Sequence, residues 1–179
     1  MNTIYKYIIL SITIFISAFL FFIFYNQWII VYVPRHAHMV VTSSDIIQKK
    51  QIILHYFHHD KWKVEKQEML WQESVEKNIF HLINAWLILL DEEHITTKKT
   101  TLQSALVTPS GTVYLSFDHH ILGKEDTIFK KWMLIEGLLK TISLNNIPIT
   151  HVHFLIQHQP LQDAHLDFSL PWPVHGFIK

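Results

Sequence analysis

Histidine is the residue type in this chain most able to do chemistry. There are 14 histidines in 179 residues, and no cysteine. Twelve of them are His36 and His38; His55 with the pair His58-His59; His119-His120; His151 and His153, again spaced His-x-His; then His158, His165 and His175. Neutral imidazole suits zinc and copper. On a strand, His151 and His153 project to one face and Val152, Phe154 and Ile156 to the other. Two imidazoles on one face could meet ligands on a neighbouring strand, and His55 and His59 would share a face by the same rule. These four residues are the speculative metal candidates. A site needs three or four converging ligands, and no spacing here forces convergence. The competing reading is that the imidazoles fill outward polar positions, where they could change charge between about pH 5 and 8.

Other chemistries are poorly supplied. Without cysteine there is no disulfide framework, thiolate zinc site or cysteine nucleophile. No serine sits in a nucleophile elbow, so a hydrolase is the weakest alternative. His165 and Asp167 read as same-face strand neighbours rather than parts of a triad. Only four glycines are present, with no phosphate-cradling loop and no HExxH. Fifteen basic and fifteen acidic residues cancel, which argues against a nucleic-acid surface. The expectation is a non-enzyme with no cofactor and no small-molecule substrate.

The elements that must position these residues follow from periodicity. Residues 7–25, YIILSITIFISAFLFFIFY, carry no charge, Pro or Gly. That is close to the ~20 residues a helix needs to span a bilayer, and Tyr5, Tyr7, Tyr25, Trp28 and Tyr32 flank it as interfacial aromatics. The run is too long for a cleaved signal peptide, so an uncleaved single-pass anchor is expected. A short head of residues 1–6 and a large C-terminal portion suggest that the latter lies outside the cytoplasm. Residues 26–48 read as a tether, 49–174 as one domain and 175–179 as a tail.

Within the domain, residues 51–57 and 62–71 read as two strands around a polar turn, the second with the charges of a solvent-exposed edge. Residues 74–90 form an amphipathic helix capped by Ser74. Residues 101–107 and 112–117 flank a type I turn at Thr-Pro-Ser-Gly. Residues 125–144 form a second amphipathic helix, favoured at its start by Glu125 and Asp126 and ended by Asn145, Asn146 and Pro148. A strand from Thr150 and a last strand over 164–170 complete the order ββαββαββ. The expected fold is α+β: a two-layer sandwich with a mixed or antiparallel sheet and both helices on one face. Trp86 and Trp132 lie on apolar helix faces and read as core. Trp172, within Pro-Trp-Pro, reads as an exposed partner contact.

From about Lys49 to Val174 the chain resembles the GerMN domain of spore germination and sporulation proteins. The resemblance rests on IILHYF with its charged return strand, the helix ending AWLILL, GTVYLSF, GLLKTISLNNIPITHVHFLI and AHLDFSLP. Gly111, Thr141, His165 and Asp167 fall at family-pattern positions. Ser116 stands where the family commonly has Asp. Gln157-His158 replaces its Asp-Gly, so the residues of its usual tight turn are missing. The resemblance implies a membrane-tethered extracytoplasmic domain, without known catalysis, that helps assemble envelope complexes. Partners expected on that basis are the membrane and an envelope protein or a second copy. The alternative from the residues alone is a histidine-rich envelope protein binding zinc or copper.

Overall fold

The computed structural model describes residues 3–25 and 48–176, and in the first stretch the side chains of residues 5–6, 11–19 and 21–22. Residues 26–47 of the tether, with Trp28, Tyr32, His36 and His38, lie outside the described residues. The chain divides into two units, Met1–Thr42 and Ser43–Lys179.

The first unit holds one helix, α1 (Thr3–Tyr25). Ile12, Ile14, Phe15, Ile16, Phe19, Phe21 and Phe22 are all exposed on it. Among the described residues, no helix is long and apolar enough to cross a membrane.

The second unit runs β1 (Gln48–His58), β2 (Lys61–Trp71), α2 (Val75–Glu92), β3 (Leu102–Val107), β4 (Thr112–Phe117), α3 (Ile128–Leu144), β5 (His151–Ile156), β6 (Gln159–Pro160) and β7 (Trp172–Pro173). Local signals set most boundaries. Ser74 caps α2 by accepting the Lys77 N–H, and Thr127 does the same for α3 with Lys130. Glu125 and Asp126 therefore precede α3 rather than opening it. Gly111, at φ +82°, donates its N–H to Thr108 O at 2.9 Å and closes the expected turn. Its carbonyl accepts from Thr150 N at 2.8 Å, which seats the start of β5 beside that turn.

Two departures from the expected order have clear causes. There are two sheets, not one: β1 and β2 pair only with each other, while β3-β4-β5-β6 form the larger sheet, with β7 also on β5. Residues 164–170 form no strand. Asp163 accepts N–H groups from both His165 and Leu166, which gives that backbone local partners in place of a ladder. The segment still buries Leu166 and Phe168. β4 and β5 run parallel with α3 between them, so Val113, Leu115, Phe117, Val152 and Phe154 share one buried core with both helices.

Gln157 and His158 make the tight turn after β5 although neither is glycine. Both have positive φ, 48° and 65°, and Ile156 pairs with Gln159 across them. The turn is held from outside: Gln157 N donates to Phe117 O at 2.8 Å, and His158 N donates to Ser116 Oγ at 2.9 Å.

Candidate interaction surface

The β1–β2 hairpin is attached to the body of the domain through polar side chains. In an antiparallel pair, hydrogen-bonded and non-hydrogen-bonded residue pairs alternate, so every second residue of β1 points its N–H and C=O away from β2. Ile53 and His55 are two of these. Asn145 accepts the Ile53 N–H at 3.0 Å and donates to Ile53 O at 2.7 Å. Thr141, one turn earlier on α3, accepts the His55 N–H at 2.9 Å and donates to His55 O at 3.3 Å. Trp86 of α2 donates to the same carbonyl at 2.9 Å, and Lys50 donates to Asn145 O at 2.9 Å. An amide and a hydroxyl at i and i+4 thus stand in for a third strand, which covers the edge. Close approach is possible because Gly137 faces β1: a Cβ there would lie 3.0 Å from His55 O. Thr141, like Gly111 at its turn, is a family-pattern residue with a clear physical job here.

β2 offers no such cover on its far side. Its partners across β1 are set by the register Ile53↔Lys66, His55↔Val64 and Gln51↔Glu68. Since Ile53 and His55 point outward from β1, Lys66 and Val64 point outward from β2, and Trp62, Glu68 and Leu70 follow by alternation. Among the described residues no strand pairs with this edge. Val64 and Leu70 are 54% and 55% exposed, although each is a large apolar residue.

The metal candidates are not brought together. His55 lies in β1 and His59 in the hairpin turn at φ 51°; His151 and His153 lie in β5, in the other sheet. The strand neighbours of His151 are Thr112 and Pro173, and β4 sets Tyr114 beside His153. Among the described residues no group of three or more His, Cys, Asp or Glu could hold a metal ion. Each imidazole has its own surroundings. His59 stacks on His58 with ring centres 3.8 Å apart. His151 is exposed and its Nδ1 lies 3.0 Å from Thr150 Oγ1. His55 packs on Trp62 at 4.6 Å, and Lys140 sits 4.2 Å over the same indole. Burial, aided by the Lys140 charge, lowers the His55 pKa. Burial alone lowers that of His153, whose ring meets Tyr114 edge-on at 5.1 Å.

Trp172 is not an exposed contact. It is buried, stacks on Phe168 at 5.2 Å and donates its indole N–H to Asp167 O at 2.9 Å. Pairing of β7 with β5, Trp172 opposite Val152, turns the ring inward. His165 and Asp167 do not form the expected strand pair. His165 turns to Asp163, its Nδ1 3.8 Å from that carboxylate, while Asp167 accepts the Ser169 N–H.

Several working residues gave no sequence signal. Lys131, 2% exposed, reaches Asp163 at 2.6 Å; a buried lysine on a helix that reads as amphipathic is visible only through its distant partner. Burial opposes ionisation of Asp163, but Lys131 and the two backbone N–H groups outweigh it and hold its pKa low. A cavity of ≈ 360 Å³ opens near the hairpin turn, with Tyr56, Phe57 and Phe129 among its walls and His58, His59 and His94 beside them. Asn145 could have been suspected from its i+4 spacing to Thr141, two polar side chains stacked on one face of an apolar helix.

No family model matches the chain, and no curated protein matches it. Among solved structures the chain is similar to the tandem GerMN domains of the sporulation protein GerM from Bacillus subtilis, with 13% identity and a TM-score of 0.45 over 75% of this chain and 48% of that one. The chain therefore spans about half the length of that structure.

Proposed function

We propose that this chain is a membrane-anchored, non-catalytic protein-interaction domain of the cell envelope, GerMN-like in kind, with its C-terminal unit outside the cytoplasm. One observation carries the interaction reading: a hairpin clamped to the domain by one edge holds out an eleven-residue strand, β2, by the other. An open strand edge is a template for a partner's backbone, and pairing there is a recurrent mode of recognition.

The anchor reading is supported by the sequence of residues 7–25. This stretch carries no charge, Pro or Gly and is close to the ~20 residues a spanning segment needs. The test is cell fractionation with protease accessibility of residues 48–176. Membrane-bound chain, cleaved only when protease is added outside the cytoplasmic membrane, is expected. Chain in the soluble fraction, or protected until cells are lysed, would sink the reading.

A further inference from the structure

We infer that the partner at the open β2 edge is a second copy of this chain, paired antiparallel about a twofold axis at Gln67. The inference rests on the interaction reading above and adds to it the partner and the register.

Symmetry limits the choices sharply. A twofold axis normal to a sheet relates directly opposite residues, so an isologous antiparallel pair must set one residue against its own copy. Only even-numbered β2 residues point their backbone groups outward, so the axis sits either at one of them or midway between two. Centring on Gln67 sets Gln67 against Gln67 as a non-hydrogen-bonded pair and makes Lys66 and Glu68 mutual hydrogen-bonded partners. It also sets Val64 opposite Leu70. Opposite charges then meet twice, and the two exposed apolar residues of the strand cover each other twice; both kinds of cross-strand pair are favourable. Moving the axis one residue either way fails. Centring on Lys66 opposes Lys66 to Lys66 and Val64 to Glu68. Centring on Glu68 opposes Glu68 to Glu68 and Lys66 to Leu70. Centring on Glu65 opposes Glu65 to Glu65. The charges that guard the edge against indiscriminate pairing thus favour the Gln67 register over those centred on Lys66, Glu68 and Glu65. An ion pair this strand already makes on that face, Lys49 to Glu68 at 3.6 Å, joins two side chains more than 70% exposed and holds little energy.

The natural chain has no cysteine, so single cysteines report cleanly. The full chain, extracted in mild detergent, is oxidised gently with Gln67→Cys as its sole thiol. Cα atoms of an opposed non-hydrogen-bonded pair lie about 4.5 Å apart, within disulfide reach. A disulfide dimer is expected from Gln67→Cys and from the double variant Val64→Cys/Leu70→Cys, with only traces from Val64→Cys or Lys66→Cys alone. Adding Lys66→Glu to Gln67→Cys should remove most of the dimer, and adding Glu68→Lys as well should restore it. Monomeric Gln67→Cys, equal dimer from Lys66→Cys, or a Gln67→Cys adduct with a different protein would each overturn the inference. The localisation assay separates this from the broader reading. An extracytoplasmic domain that fails to dimerise loses only the self-pairing; a cytoplasmic domain that dimerises keeps the pairing and loses the envelope role.

Discussion

The two long edges of one hairpin are treated oppositely. On the β1 side, four backbone groups of Ile53 and His55 are matched by Asn145, Thr141 and Trp86. On the β2 side, an edge of the same length is left to solvent, with Lys66 and Glu68 standing beside Val64 and Leu70. A strand edge can be closed by a helix only if the helix spends polar side chains inside an otherwise apolar interface, and α3 does so at two adjacent turns. The contrast teaches where the domain keeps its own stability and where it has surface left for others.

The sharpest way to break the contrast is Asn145→Leu. It strips partners from both backbone groups of Ile53 in a buried setting, and each unsatisfied group costs about 1–3 kcal/mol. A loss of about 3 kcal/mol in urea unfolding is expected, with the hairpin loosened first. Thr141→Val should cost less, about 1–2 kcal/mol, because His55 O keeps its bond from Trp86 and one donor alone is orphaned. Equal losses for the two variants would contradict this division of roles.

Acid tests the covered side differently. His55 and His153 are held below their ordinary value of 6.5 by burial, His55 also by Lys140. A histidine with a depressed folded pKa takes up protons in the unfolded chain before the folded one, so stability is kept above about pH 6.5 and lost as pH falls below it. Urea midpoints should drop between about pH 7 and pH 5.5, and His55→Gln should flatten that slope. A slope unchanged by His55→Gln would show that the ring is not held as described. The smallest effect belongs to the open side: Val64→Ser/Leu70→Ser should change monomer stability by no more than about 0.5 kcal/mol per site.

Much of this architecture was legible in the sequence, and the exceptions share a cause. The Thr-Pro-Ser-Gly turn, the Ser74 cap and the charged edge of β2 are local patterns, and each appears as read. Asn145 was readable as a helix stop because that signal is local; its i+4 spacing to Thr141 hints at a shared polar role, but its partner Ile53, 92 residues away, leaves no trace in spacing. The same holds for Lys131 with Asp163, and for Ser116, whose hydroxyl supports a turn that lacks glycine. Trp172 looked exposed between two prolines because nothing nearby announces its pairing with Val152. The histidine groups were conspicuous in the sequence, yet the topology sends the four candidates His55, His59, His151 and His153 to two sheets and a turn.

Amide hydrogen exchange tests the central contrast most directly. In dilute full-length chain, the amides of Ile53 and His55 should exchange as slowly as the core, while those of Val64, Lys66, Glu68 and Leu70 exchange fast. In the Gln67→Cys disulfide dimer, the latter four should slow markedly and the former two stay as they were. Fast exchange at Ile53 and His55, or protection of the four β2 amides in the monomer, would contradict the account.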